Sequence, residues 1–311
     1  MNIIKNRYFY FLLSLLIIIP GIVFLTLNWI NLKTPLPLGI DFTGGSLLEV
    51  QFSGTRPSSD EVMNIYKQFA PDADPAVQSL GTDSFSIRSK RIEDNIKGQI
   101  VTELENKTGS KVTVLEFTSV SAAIGAEVTR AAGFAILMAA IAILGYISFA
   151  FRGVDHAFRY GVAAIAAMLH DVFVVLGVEA ILAYYLGWEA DALFLTALLT
   201  VIGFSVHDSI VVFDRVRENS HVYRRIGYET LVNHSVVQTL DRSINTQLTV
   251  LFTLFALVLF GGESIRHFVI ILLVGIFSGT YSSIFNAAPI LVVWENQEWK
   301  TWFKRKEEVT A

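Results

Sequence analysis

The stretch from Gly203 to Asn219, GFSVHDSIVVFDRVREN, indicates how this chain is built. It follows an almost unbroken apolar run, 192–202, and charges resume only at Asp214. Asp208, with apolar residues on both sides, therefore lies about six residues, or roughly 9 Å, inside a predicted membrane helix. An ionisable group at such depth costs about 2.5–3.5 kcal/mol, less toward the interface, so it is expected to have a function. Alternatively, the carboxylate of Asp208 could extend along the helix to water at the interface, but the Asp side chain is short for this.

The composition agrees with a membrane protein that carries a soluble insert. Of its 311 residues, 53% are hydrophobic and 17% are charged, against roughly 25% charged residues in ordinary soluble domains. The absence of cysteine excludes disulfides, thiol catalysis and thiolate metal sites. The net charge of −4 is too small to indicate a nucleic-acid partner, and we expect none.

Six apolar segments predict six transmembrane helices. The first, from Tyr8 to Ile30, is longer than the apolar region of a signal peptide, and no A-x-A-like site follows it, so we interpret it as a retained helix. The predicted domains are the N-terminal tail with the first helix (1–30), a soluble domain (31–128), a helix bundle (129–299) and a basic tail (300–311). The bundle helices are predicted near 130–150, 159–185, 191–213, 243–261 and 267–294, with a cytoplasmic linker over 214–241.

The distribution of basic residues predicts the orientation in the membrane. Lys and Arg are concentrated at the N-terminus, around 151–158, in the 214–241 segment and in the tail, whereas the opposite short turns contain only Arg266. Short loops rich in Lys and Arg stay in the cytoplasm. Both termini are therefore predicted to be cytoplasmic, with the soluble domain between the first two helices outside.

The soluble domain shows the order βαββαβ. Its predicted strands are Ser46–Phe52, Ala76–Leu80, Phe85–Arg88 and Lys111–Phe117, and its predicted helices are Ser58–Phe69 and Arg91–Lys107. Ser58 is placed to cap the first of these helices, and Gly109 to end the second. This order predicts a small ferredoxin-like α+β domain, which says nothing by itself about chemistry.

Polar residues at the start of the fifth predicted helix share one face. Arg242, Asn245, Thr246 and Thr249 are separated by three or four residues. Because the fourth and fifth helices are antiparallel, Arg242 and Asp208 fall at a similar depth and could pair. Arg242 could equally be an interfacial anchor, and the Thr and Asn side chains could serve helix packing alone.

Other polar residues within the helices carry weaker predictions. His207 adjoins Asp208 but points about 100° away, and packing is the favoured interpretation for it. His170 and Asp171 form a second intramembrane pair that looks like the HD dipeptide of metal sites. Without further ligands, we expect only an auxiliary polar contact. On the sixth helix, Gly275, Gly279, Ser282 and Asn286 share a face, which favours close helix approach.

Four motifs carry a resemblance to a known family. The motifs are LGIDFTGGSLLEVQF (38–52), MLHDV (168–172), GFSVHDSIVVFDRVREN (203–219) and DRSINTQLT (241–249). In this order along the chain they resemble the SecF members of the SecD–SecF family, which serves the bacterial Sec translocon and is related to the resistance-nodulation-division transporters. His207 stands at a position that is often Asn in the family.

The resemblance implies a function in protein export driven by the proton motive force. It implies that Asp208 and Arg242 form a proton relay, with Asn245, Thr246, Thr249 and His207 lining the ion path. The coupling ion would be H⁺, with Na⁺ left open, and no other cofactor is implied. The implied partners are a SecD-like six-helix protein, the Sec translocon channel, the translocating preprotein and the lipid bilayer. The implied location is the bacterial plasma membrane or an internal energy-transducing membrane.

Two other functions remain open at this point. The chain could be half of a transporter that exports a small molecule or a lipid, in which case its outer loops should form a substrate pocket. It could instead be an assembly factor in which Asp208 and Arg242 merely hold helices together. An enzyme is the least favoured class, because no nucleophile–base motif is present and Gly44–Gly45 lacks the pattern of a phosphate-binding loop.

Overall fold

The computed structural model describes residues 2–153, 156–223 and 225–300, without the side chains of 263 and 264. The predicted basic tail lies outside these residues except for Lys300. The chain divides into two compact units. The helical unit comprises Met1–Leu36, Ala135–Tyr185 and Leu193–Ala311, and the sheet unit comprises Pro37–Phe134 and Leu186–Ala192.

The elements alternate between long apolar helices and a short α/β segment. The α-helices are α1 (Arg7–Leu32), α2 (Ile40–Thr43), α3 (Ser59–Phe69), α4 (Asp94–Thr108), α5 (Ala122–Ala150), α6 (Ala157–Leu186), α7 (Ala192–Val222), α8 (Tyr228–Phe260), α9 (Glu263–Ser282) and α10 (Ala288–Glu295). The strands are β1 (Gly45–Phe52), β2 (Ala76–Leu80), β3 (Ser84–Ser89) and β4 (Val112–Val120). A π-helical segment, Ser283–Ala287, joins α9 to α10 and makes them one continuous span.

Six helices in the described residues are long and apolar enough to cross a membrane, as predicted. They are α1, α5, α6, α7, α8 and the α9–α10 span. α6, α7 and the α9–α10 span are about half buried within the chain, whereas α1, α5 and α8 leave most of their surface exposed. The first three therefore form the centre of the helical unit.

The segment predicted as a linker, 214–241, is largely helical in the described residues. α7 continues to Val222 and α8 begins at Tyr228. The side chain of Asn219 joins the two helices by donating to Ser235 at 2.8 Å and to Gln238 at 2.9 Å. The return of charged residues after Asp208 thus ends the apolar segment but not the helix. Likewise, α5 begins at Ala122, eight residues before the predicted start, because the charged residues that precede its apolar segment belong to the same helix.

Close approach of helices in the helical unit depends on glycine. A Cβ added at Gly21 of α1 would lie 2.6 Å from the Cα of Gly177 on α6, so these two backbones touch. On α9, a Cβ at Gly275 would overlap the side chain of Val201, and one at Gly279 would lie 3.4 Å from the Cα of Ser205. The predicted close packing of the small-residue face of the sixth span is confirmed.

The sheet unit has the predicted order of strands and helices. Its four strands form an antiparallel sheet in the order β2-β3-β1-β4. Alternate residues of β1 and β3 pack with apolar residues of α3 and α4 into one core, which includes Leu48, Val50, Phe85, Ile87, Val62, Tyr66, Ile100 and Leu104. Ser58 and Glu61 form a capping box at the start of α3. Gly109, at φ 63°, ends α4.

The connection between α6 and α7 belongs to the sheet unit, which the sequence analysis did not foresee. The backbone of Gly39 donates to the Ala190 carbonyl at 2.7 Å, and Ala190 donates to Pro37 at 2.9 Å. Asp41 then accepts a hydrogen bond from the backbone N–H of Ala192, the first residue of α7, at 2.9 Å. The segment that carries the LGIDFTGG motif therefore caps the helix on which Asp208 lies.

Candidate functional site

The centre of the candidate site is the buried carboxyl group of Asp208. The residue lies on α7 and is 4% exposed. Its Oδ2 accepts a hydrogen bond from the side-chain amide of Gln247 on α8, which is 3% exposed. The Oε1 atom of Gln247 is buried and has no hydrogen-bond partner. The carboxyl group of Asp208 is therefore held by a neutral amide in the interior of the helical unit.

Arg242 is not brought to Asp208 in the described structure. It is exposed on α8, five residues before Gln247, and five residues turn a helix by about 140°. The same helix thus presents Gln247 to the interior and Arg242 to the outside. The proton-relay role implied for Arg242 stays a prediction, and any direct pairing with Asp208 would require a rearrangement of α8.

The predicted lining residues form an exposed stripe together with Arg242. Asn245, Thr246 and Thr249 are all exposed. The hydroxyl groups of Thr246 and Thr249 each donate to a backbone carbonyl one turn earlier, at 2.9 Å. A threonine bonded in this way can face an apolar environment without losing a hydrogen bond. We call Arg242, Asn245, Thr246 and Thr249 the polar stripe of α8.

His207 lies on the opposite side of α7 from the interior. It is exposed and lines a groove of about 410 Å³ together with Thr200, Gly203 and Phe204. The adjacent Asp208 points inward, as the helical period predicts. The structure therefore does not place His207 beside the Asp208–Gln247 contact, and its role in an ion path stays a prediction.

His170 and Asp171 take part in a buried polar cluster between α6 and α9. The Asp171 carboxylate accepts hydrogen bonds from Ser278 and Ser282, each at 2.6 Å, and lies 3.0 Å from His170 Nδ1. Asp171 is fully buried, and His170 Nε2 is buried with no hydrogen-bond partner. Ser278 was not singled out from the sequence, and Ser282 was interpreted only as a small residue that permits close helix approach.

Gln247 is the main residue that sequence reasoning overlooked. It belongs to the DRSINTQLT motif, but it falls outside the face that Arg242, Asn245, Thr246 and Thr249 define. A long amide side chain flanked by apolar or small residues on the interior face of a membrane helix was the available signal, because such groups need a partner in hydrocarbon. That signal does not identify the partner.

The arrangement can bind and release a proton inside the helical unit. A carboxylate only accepts hydrogen bonds, and the Gln247 amide donates one to it. A protonated Asp208 would instead need an acceptor, which the Oε1 atom of Gln247 could supply after the amide turns over. Within the described ranges, no three metal-binding side chains of His, Asp or Glu gather in one place.

Comparisons with known proteins place these features in a family. Residues 100–297 match the model of the C-terminal region of the protein-export membrane proteins SecD/SecF, and residues 32–55 match the SecD/SecF GG motif. The protein translocase subunit SecF of Anaerolinea thermophila is 52% identical over 98% of this chain and 97% of its own length. The subunit SecDF of Bacillus subtilis is 35% identical over 95% of this chain, which spans 38% of the relative.

Solved structures agree with the sequence comparisons. The crystal structure of SecDF from Thermus thermophilus, a translocon-associated membrane protein, superposes with a TM-score of 0.78 at 31% identity. The match covers 95% of this chain and 39% of that chain. A second crystal structure of SecDF, in a super-membrane-facing form, gives a TM-score of 0.66 at 30% identity.

Proposed function

Because the chain belongs to the SecD/SecF family of protein-export membrane proteins, we propose that it is a subunit of an accessory complex of the Sec translocon and promotes preprotein export. The observation that carries this proposal is the match along almost the whole chain to relatives named as protein translocase subunits. The alternative of a small-molecule exporter needs a substrate pocket in the outer loops. The interior of the sheet unit is instead a closed apolar core.

The energy for export comes from the proton motive force, acting through Asp208. The support for this step is a carboxyl group that is buried in a membrane helix and held by a neutral amide rather than by a cation. Such a group can change its charge as a proton binds or leaves. A membrane potential supplies about 2.3 kcal/mol per elementary charge per 100 mV, enough to bias a two-state rearrangement of helices. The coupling ion is H⁺.

A SecD-like six-helix partner covers the polar stripe of α8. Arg242 and Asn245 are exposed on a helix that is long and apolar enough to cross a membrane, and a charged side chain facing lipid is costly. In the longer SecDF relatives, the region similar to this chain makes up less than half of the polypeptide. The remaining length is sufficient for a second set of helices. Arg242 would then act on the ion path at the interface between the two halves.

The chain lies in the bacterial plasma membrane with both termini in the cytoplasm. The distribution of Lys and Arg supports this orientation. The sheet unit, whose strand order β2-β3-β1-β4 and βαββαβ connectivity fit a ferredoxin-like domain, then lies outside the cytoplasm. There it can contact the emerging preprotein.

The experiment is complementation of cells that lack this protein with wild type, Asp208→Asn or Asp214→Asn. Asp214 is an exposed acid on the same helix and pairs with Arg217 at 2.5 Å, so it is a matched control. We expect Asp208→Asn to assemble with its partner but to lose export that depends on the proton motive force, and Asp214→Asn to restore it. Loss of assembly alone would favour the assembly-factor alternative, and full export by Asp208→Asn would exclude the relay.

A further inference from the structure

A second buried acid–histidine pair lies in the helical unit, apart from Asp208. Glu179 on α6 is fully buried, and its Oε2 lies 2.8 Å from Nε2 of His267 on α9. Glu179 is eight residues beyond Asp171, which is about 12 Å along the helix, and seven residues from the end of α6. The pair therefore lies between the Asp171 cluster and the end of the bundle at which α6 stops and α9 begins.

The surroundings of the pair are apolar, and the carboxyl group is only half satisfied. Oε1 of Glu179 is buried and has no hydrogen-bond partner. The ring of Phe194 on α7 stacks near His267, with a distance of 6.4 Å between the ring centroids. From α1, Asn28 donates to the carbonyl of Ala180 at 3.0 Å. Phe194 and Asn28 cannot take up a proton, whereas Glu179 and His267 both can.

A carboxyl and an imidazole in contact can hold one proton with no net charge. The proton can sit on the histidine, which makes an ion pair, or on the acid, which makes a neutral pair. A second proton gives the pair a positive charge, and loss of the first leaves a negative charge, which is costly in an apolar interior. The Oε1 atom of Glu179, which has no hydrogen-bond partner, is the position that would bind a water molecule or an incoming proton.

Unpartnered polar atoms continue from this pair toward Asp208. His170 Nε2 on α6 and the hydroxyl groups of Ser205 and Ser209 on α7 are buried and lack hydrogen-bond partners. Gly279 packs against Ser205, so this serine faces the same span whose Ser278 and Ser282 bind Asp171. Buried groups of this kind in native proteins are normally satisfied by water. They therefore mark positions where water molecules could link the two clusters.

We propose that Glu179 and His267 form a second proton-binding site, which passes protons to Asp208 through the interior of this subunit. The inference rests on the proposed proton coupling and adds a route that differs from the polar stripe of α8. Protons would enter from the bundle end beside Glu179, reach the His170–Asp171 cluster through water, and arrive at Asp208. The rise of about 12 Å along α6 between Glu179 and Asp171 is too long for direct proton transfer, so intervening water is required.

The test uses the complete complex with its SecD-like partner in proteoliposomes. Proton uptake driven by an imposed potential is followed with a pH-sensitive dye inside the vesicles. Infrared difference spectra on a change of pH record the carbonyl band of each protonated carboxyl group. We expect Glu179→Gln to assemble normally, to lose one carboxyl signal and to lower the proton flux at least tenfold. Glu127→Gln, which changes an exposed acid, should match wild type.

The outcomes separate this inference from the proposed function. A flux within twofold of wild type for Glu179→Gln, with Asp208→Asn inactive, overturns the second site and leaves the proposed coupling intact. The proposed proton coupling is refuted if the wild-type complex shows no proton flux and no infrared carboxyl band that Asp208→Asn removes. If Glu179→Gln does not assemble, the His267→Gln variant tests the second site instead. We expect this variant to keep the carboxyl band of Glu179 at a shifted frequency and to lower the proton flux. An unchanged proton flux overturns the second site.

Discussion

The Oδ2 atom of Asp41 accepts a hydrogen bond from the backbone N–H of Ala192 at 2.9 Å. The two residues are 151 positions apart in the sequence, and the side chain of Asp41 caps the helix that begins at Ala192. A carboxylate at the start of a helix satisfies a free N–H group and interacts favourably with the helix dipole. The contact lies within the sheet unit and caps the first residue of α7.

Asp41→Ala should loosen the first turn of α7. Removal of a capping side chain costs about 1 kcal/mol, which corresponds to roughly fivefold faster hydrogen exchange if the turn opens locally. The measurement is amide exchange of peptides that cover 190–196, in the intact protein. Asp41→Asn keeps an acceptor oxygen and should stay close to wild type. Equal exchange in Asp41→Ala and wild type would show that the contact does not hold the helix end.

Gln247→Leu should impair the site without unfolding the bundle. The change removes the donor to Asp208 and leaves a buried carboxylate without this hydrogen bond, at a cost of about 1–3 kcal/mol. We expect export that depends on the proton motive force to fall about tenfold, while assembly with the partner continues. Thr253→Val, which alters an exposed hydroxyl on the same helix bonded to the Thr249 carbonyl, is the control. Export equal to wild type in Gln247→Leu would contradict a role for the amide.

Gly21→Ala should destabilise the helical unit. The added methyl group would lie 2.6 Å from the Cα of Gly177, and backbone atoms cannot move aside cheaply. Overpacking of this kind costs about 1–3 kcal/mol, and the midpoint of thermal unfolding in detergent should fall. Gly145→Ala on α5 meets no atom within 4 Å and improves helix propensity, so its midpoint should be equal or higher. A Gly21→Ala midpoint equal to that of wild type would show that α1 and α6 can separate freely.

Glu49→Gln should stabilise the sheet unit at neutral pH. Burial, together with the facing carboxylate of Glu116, raises the pKa of Glu49 above its usual range. Because the folded-state pKa is the higher one, the residue stabilises the fold at a pH below its ordinary pKa, and this contribution is lost as pH rises through the raised value. At pH 7 the ionised side chain is therefore unfavourable. Since it is only half buried, the gain on substitution should stay below about 1 kcal/mol.

The measurement for Glu49→Gln is hydrogen exchange of β1 peptides at pH 4 and pH 7, corrected for intrinsic rates. We expect slower exchange than wild type at pH 7 and no difference at pH 4. Glu103→Gln, which changes a partly exposed acid on α4 of the sheet unit, should show no difference at either pH if the effect is specific to Glu49. Faster exchange of Glu49→Gln at pH 7 would contradict the assigned cause.

Local signals in the sequence predicted the elements well. Continuous apolar runs are required to cross a bilayer, so all six spans were evident from the chain alone. Ser58 and Glu61 marked the start of α3, and Gly109 marked the end of α4. The apolar neighbours of Asp208 predicted that it lies within a helix long enough to cross a membrane, and in the structure it is buried on α7. These features depend on residues close together in the chain.

Features that depend on distant residues were not predictable. The partner of Asp208 is set by which side of α8 faces α7, and both sides of α8 carry polar residues. A helical period locates the polar stripe but does not say whether it or Gln247 points inward. Likewise, the pairing of Leu38 with Ala190 joins segments that no local pattern relates. Charged residues after Asp214 hid the continuation of α7 because they mark a membrane boundary rather than a helix end.

The continuation of α7 and α8 beyond the apolar segment gives the hairpin a mechanical property. Val222 lies 14 residues past Asp208, about 21 Å along α7, and Asn219 fastens the two arms together. A tilt of α7 by about 10° at the Asp208–Gln247 contact would displace Val222 by roughly 4 Å, and the hydrogen bonds of Asn219 would carry the start of α8 with it.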